Sequence, residues 1–172
     1  AGAERIRWHR ADMRSFQLPS RFATVIIPYN TFNHLLGIDD VLSCLAAVAK
    51  HLERRGQLII DTFHPDPRRL LVTGGPEERI VRYRLPDRRT VSLYESNHYD
   101  GATRINQIRW RHALEDDPEW RIDELRMRIF FPCELEALFR LAGWKLQTRL
   151  GDYDGRPFGP RATKQLCILE PR

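Results

Sequence analysis

The sequence predicts an α/β protein: a mainly parallel sheet with helices against it and an antiparallel β segment set into the chain between its halves. Three observations carry that prediction. A strand, a helix and a second strand follow one another through residues 22–61. Four runs of mainly alternating character, separated by short turns, occupy residues 79–130. A helix and two further strands then close the chain from residue 132 onward. Alternation with period two marks strands, and apolar recurrence at three and four marks helices, so the change of period along the chain separates the two textures.

Taken in order, residues 6–11 are short and β-rich and read as a first strand, ended by the turn signals around Asp12 and Pro19. A second strand, residues 22–27, stops at Pro28. Asp39 or Asp40 is placed to cap a helix whose stripe of Val41, Leu42, Leu45, Val48, Ala49 and Leu52 keeps helical spacing up to Gly56. Residues 57–61, with Leu58, Ile59 and Ile60 apolar in succession, suit a strand covered on both faces. The intervening helix makes the two strands parallel neighbours in a right-handed βαβ unit.

From Pro65 the chain turns rich in Pro and Gly, with one helical turn expected at 68–72. The alternating runs follow at 79–85, 90–99, 105–113 and 120–130, and their connections are short enough for antiparallel hairpins. Pro132 then sits in the first turn of a helix that carries Leu135, Leu138, Phe139 and Leu141 on one side and closes at Gly143. Strands at 144–150 and 163–169 have no crossover helix between them, so they are expected to be antiparallel. The chain thus divides into a core part at 1–64, an antiparallel insertion at 65–130 and a closing part at 131–172.

The 172 residues include 28 Lys and Arg against 23 Asp and Glu, a net charge of +5, with 42% hydrophobic and 30% charged residues. Those proportions suit one globular unit and exclude a collagenous repeat, a disordered tail or a membrane bundle. The longest nearly apolar stretch, residues 41–48, is far short of the roughly 20 residues that cross a bilayer. Residues 1–5 lack the pattern of a secretory signal, so the expected location is the cytoplasm. Cys44, Cys133 and Cys167 are odd in number and far apart, which predicts packing residues rather than disulfides or a zinc site. Lys occurs only at 50, 145 and 164, and the densest basic stretch, Arg79, Arg82, Arg84, Arg88 and Arg89, alternates with apolar residues. It reads as a solvated strand face and not as a nucleic-acid footprint.

In an open parallel sheet, ligands bind beyond the carboxyl ends of the strands. That rule selects Asp12 and Met13 after the first strand, Tyr29 and Asn30 after the second, Asp61 and His64 after the third, and residues 152–154, with Tyr153 at their centre, near the end. These turns are expected to share one rim. An Asp just past a strand can take a hydrogen bond from an exocyclic amine, although an Asp that starts a turn also caps it locally. His34 and His64 have no partner at a metal-like spacing, so no metal is expected. In the insertion, Glu95, Asn97 and Tyr99 share one face of their strand and Tyr94, Ser96 and His98 the other. GxSxG, HExxH, P-loop and CxxC patterns are all absent, which leaves enzymes that work by positioning more than by a reactive side chain.

These segments, in this order, resemble the class I S-adenosylmethionine-dependent methyltransferases of small-molecule type, from the third strand of that fold to its end. Residues 10–16, with Asp12 and Met13, look like the adenine-contacting segment. Residues 22–35, with Tyr29, Asn30 and His34, look like the fourth strand and its loop, and residues 51–61 like the helix end and fifth strand. Residues 131–144 and 151–158 are similar to the closing helix and the loop after the next strand. Two departures stand out: Ala23 follows Phe22 where the family often has Asp, and no GxG triplet occurs anywhere.

The resemblance implies a partial Rossmann-like methyltransferase sheet without its first two strands, with the insertion acting as a substrate lid. It implies S-adenosylmethionine as cofactor and methyl transfer to a small-molecule acceptor. Asp12 and Met13 would hold adenine, Tyr29 and Asn30 the methionine side of the cofactor, and Tyr153 and Asp61 the substrate, with His34 or His64 as the base. Without the Gly-rich turn the chain alone is expected to bind the cofactor weakly or not at all and to be inactive by itself. An open edge at residues 6–11 would favour pairing of two copies. The rival expectation is a noncatalytic methyltransferase-like partner or scaffold module.

Overall fold

A computed structural model describes residues 6–71 and 74–172. Two four-stranded sheets organise them. The main sheet has the order β1 (Phe22–Ile27), β2 (Leu52–Phe63), β8 (Lys164–Pro171), β7 (Trp144–Leu150). β1 and β2 are parallel, with Ile26 opposite Ile59, and they are joined through helix α1 (Ile38–Lys50). β8 runs antiparallel to both β2 and β7, as the missing crossover requires. The second sheet is an antiparallel meander of β3 (Glu78–Arg84), β4 (Thr90–Asp100), β5 (Ile105–Ala113) and β6 (Arg121–Arg128) in sequence order. A short helix, α2 (Pro67–Leu71), leads into it, and α3 (Pro132–Leu141) leads back.

One core forms where α1 and α3 pack on the main sheet. Val41, Cys44, Leu45 and Val48 of α1 and Leu135, Leu138 and Phe139 of α3 are buried with Leu58, Ile60, Cys167 and Leu169 of the strands. Burial raises the thiols of Cys44 and Cys167, to about 12 and about 11. Cys133 departs from the expectation of packing: it lies at the exposed start of α3. The whole of β3 is exposed, in keeping with its alternating Arg residues.

Four sequence expectations are corrected. Residues 6–11 form no strand, because no neighbouring strand among the described residues offers them a ladder; Ile6 and Trp8 are 56% and 88% exposed. The free edge of the main sheet is therefore β1, where Ile26 is 58% exposed. Neither Asp39 nor Asp40 is the N-cap of α1. Gly37 holds that place in extended backbone, and Asp40 reaches back from the first turn to accept its N–H at 3.2 Å. The helix stops at Lys50 and not at Gly56, because the His51 ring closes its end: Nδ1–H donates to the Ala47 carbonyl at 2.7 Å and Nε2 accepts the Leu18 N–H at 2.9 Å. Gly56 lies inside β2, where a Cβ would stand 3.0 Å from the Phe22 carbonyl oxygen.

Candidate functional site

The site begins with a strained turn. After Pro28 both Tyr29 (φ 56°) and Asn30 (φ 59°) are left-handed, a conformation Asn tolerates and a bulky side chain enters at a cost of about 1–2 kcal/mol. Such strain persists only where the surroundings over-determine it. Here the Tyr29 N–H donates to Asp61 Oδ2 at 3.0 Å and the Asn30 N–H to the Asp61 carbonyl at 3.1 Å. Thr31 donates from both N–H and Oγ1 to the Pro28 carbonyl, which turns the chain into a 3₁₀ turn at Thr31–His34. A hydrogen bond to a carboxylate contributes about 1.5–3 kcal/mol, comparable to the backbone cost at Tyr29. Asn30 Oδ1 is buried with no partner among the described residues.

Asp61, at the carboxyl end of β2, is only 2% exposed and gathers three separate parts of the chain. Besides the Tyr29 N–H, its carboxylate accepts the Tyr153 hydroxyl from the β7–β8 loop and the Lys164 ammonium of β8 at 3.2 Å. The same ammonium lies 4.7 Å from the centroid of the Tyr153 ring. Burial works against the Asp61 charge, but the three donors outweigh it and hold the carboxyl below its ordinary range. Tyr153 is raised, first by its bond to Asp61 and then by burial, with Lys164 opposing. Burial likewise works against the Lys164 ammonium, yet Tyr153 and Asp61 raise it.

A carboxyl lowered by folding adds stability that is complete above its unfolded value and disappears as pH falls through its folded one. Asp61→Asn is therefore expected to flatten part of the decline in unfolding free energy below about pH 4. Urea unfolding of both proteins at matched pH checks this, and parallel declines would contradict it.

Asp12 and Met13 begin a turn that no strand among the described residues precedes. They line a cavity of about 410 Å³ with Arg14, His34, Leu35 and Asp40, and none of Tyr29, Asp61 and Tyr153 lines it. Asp12 caps its own turn: Oδ1 accepts the Arg14 N–H at 2.9 Å, and the Arg14 guanidinium bridges Asp12 to Asp40, both at 2.7 Å. Those Arg14 bonds lower Asp12 to about 2 and raise Arg14. Asp40 is lowered by the same guanidinium and then by the Gly37 N–H.

His34 and His64 stand apart. His34 is exposed on the Asp12 cavity, whereas His64 lines a cavity of about 900 Å³ between the two sheets, with Asp66, Arg68, Glu95, Asn97, Asn106 and Arg161 among its walls. The His64 Nδ1 is 2.9 Å from the Ala162 carbonyl, which can only accept, so Nδ1 carries the hydrogen and the neutral ring offers its lone pair at Nε2. The ring edge meets Phe158 with centroids 4.9 Å apart. Of the two faces of β4, the one with Glu95 and Asn97 turns to this cavity. Among the described residues no three His, Cys, Asp or Glu side chains come together as a metal-holding group.

The residues that hold the sheets together carry no sequence motif. Asn33 donates to the Arg128 carbonyl at 2.8 Å and accepts from Thr62 Oγ1 at 2.6 Å, and Gln165 donates to the Phe130 carbonyl at 3.0 Å. Lys164 had one weak signal, its rarity in an Arg-rich chain.

This is the fold of the class I S-adenosylmethionine-dependent methyltransferases, with an antiparallel sheet added. No family model matches the chain. A curated relative, the dTDP-3-amino-3,4,6-trideoxy-alpha-D-glucopyranose N,N-dimethyltransferase of Streptomyces venezuelae, is 27% identical over 154 residues, covering 86% of this chain and 61% of the relative. Among solved structures, the CcbJ methyltransferase from Streptomyces caelestis matches with a TM-score of 0.80 at 23% identity, over 94% of this chain and 62% of that one. An S-adenosylmethionine-dependent methyltransferase from Clostridium acetobutylicum ATCC 824 matches at 0.73 and 15% identity, over 93% of this chain and 62% of that one. The chain thus spans about three fifths of the length of the relatives it matches. No helix among the described residues is long and apolar enough to cross a membrane.

Proposed function

We propose that this chain supplies the carboxyl-end rim and the acceptor cavity of an S-adenosylmethionine-dependent methyltransferase that acts on a small amine or hydroxyl compound. The observation that carries the reading is the convergence of the β1 turn and the β7–β8 loop on Asp61, at the ends of two parallel strands where ligands of such sheets bind. The relative's name, an amino-sugar N,N-dimethyltransferase, supports an amine acceptor.

The residues present suit the cofactor. The unpartnered Asn30 Oδ1 is an acceptor for its ammonium group, beside the exposed Tyr29 ring. Asp12 and Met13 would take the adenine edge, the Asp12 carboxylate being 45% exposed and anionic. When bound, S-adenosylmethionine supplies an electrophilic methyl on sulfur. The protein would align an acceptor with it and receive the acceptor's proton; we assign that to His64, whose Nε2 stays open when Nδ1 donates to Ala162, or to His34 on the Asp12 side. Tyr153, 59% exposed and bonded to Asp61, would be the substrate-side aromatic, and the antiparallel sheet would cover the acceptor as a lid.

The alternative is a noncatalytic module of the same fold. Ligand-observed NMR with S-adenosylhomocysteine decides: binding is expected, and Asp12→Ala weakens it. An unchanged dissociation constant removes Asp12 from the adenine site, and no binding at millimolar ligand favours the noncatalytic module.

A further inference from the structure

We infer that Asp61 is a positioning residue, a buried latch that holds the strained Tyr29–Asn30 turn and the Tyr153 loop as one rim, with Lys164 as its counterion and as the clamp on the Tyr153 ring. The methyl-transfer reading enters only in naming what the rim serves.

Four observations support the latch. The carboxylate is 2% exposed, so it meets protein donors and not solvent. Its three side-chain-accepted bonds come from residues 32, 92 and 103 positions away, so no local turn accounts for them. Tyr29 and Tyr153 are themselves 84% and 59% exposed, and packing alone does not hold such residues. The donors also differ in kind. A backbone N–H sets the turn, a phenol sets the loop, and an ammonium neutralises the anion while lying 4.7 Å from the centroid of that phenol's ring. A burial cost for one carboxylate is offset only if all three arrive together, which couples the loops. The Asn30 N–H provides an internal contrast, because it bonds the Asp61 backbone carbonyl and survives side-chain replacement.

The test uses the 172-residue chain and two readouts that need no activity. In Asp61→Asn, amide exchange at Tyr29 is expected to rise about tenfold, the loss of one charge-assisted bond. In ultraviolet titration, the phenol transition missing from Tyr153→Phe is expected at lower pH, since the anion that opposes phenolate is gone. Lys164→Met moves that transition to higher pH and serves if Asp61→Asn does not fold. A Tyr153 transition that neither substitution moves, or Tyr29 exchange unchanged in Asp61→Asn, overturns the latch. S-adenosylhomocysteine affinity separates the two claims. Weaker binding in Asp61→Asn supports both, whereas unchanged binding with both readouts shifted keeps the latch and counts against the rim as the cofactor site.

Discussion

Phe32→Ala is expected to lower the unfolding free energy by about 3–5 kcal/mol, the range for deleting a fully buried aromatic ring. Phe32 is 0% exposed in the 3₁₀ turn that follows the strained residues, and its ring lies 5.3 Å from that of Phe130 and 6.5 Å from that of Phe139. It therefore ties the end of β1 to the junction of β6 and α3, and its removal opens a void where turn, sheet and helix meet. The neighbouring Asn33 bonds both Thr62 and the Arg128 carbonyl, so collapse into the void is constrained by bonds that must keep their geometry. Urea unfolding checks this against Phe22→Ala, whose ring is 39% exposed at the edge of β1. Equal losses for the two variants would show that the aromatic cluster is not the junction.

Glu134→Ala is expected to cost about 1.5–3 kcal/mol, the range for hydrogen bonds to charged groups in a part-buried network. Glu134, in the first turn of α3, receives the guanidinium groups of Arg104, from the β4–β5 turn, and Arg128, at the end of β6, the latter at 2.8 Å. The side chains of Arg128 and Glu134 are 12% and 16% exposed. Arg128 also donates to the Leu36 carbonyl at 3.0 Å, which leaves a charge fixed in place when its partner is lost. Glu134→Gln keeps a hydrogen-bond acceptor and is expected to lose less. Denaturation at low and at high salt distinguishes this network from a surface pair, because a partly buried pair is screened little. A loss that vanishes in high salt would contradict the assignment.

How much of the molecule was legible from residues alone varies by element for identifiable reasons. The four hairpin strands were read almost to their ends, because period-two alternation and short turns are local signals, and Pro132 and Gly143 bounded α3 for the same reason. Residues 6–11 had the composition of a strand and failed to form one, since a strand exists only with a partner. The end of α1 was misplaced because Gly56 imitates a C-terminal glycine, while the side chain that closes the helix is His51, reaching back to a carbonyl of its own last turn. At the candidate site, the strand-end rule named Asp12, Met13, Tyr29, Asn30, Asp61, His64 and Tyr153, and hydrogen bonds join Tyr29, Asn30 and Tyr153 to Asp61. It said nothing of the two left-handed residues, of Lys164, or of the separation of His34 from His64 into different cavities.

The order of residues by itself determined the α/β class, the parallel pair around α1, the inserted meander and the turns worth inspecting, because each rests on spacing within a few residues. The closing of Asp61 on Tyr29, Tyr153 and Lys164, and of Glu134 on two arginines, depended on folding in three dimensions. Pairs separated by up to 103 positions leave no periodic trace, and a buried charge selects its partners by distance and desolvation, quantities that exist only once the chain has packed.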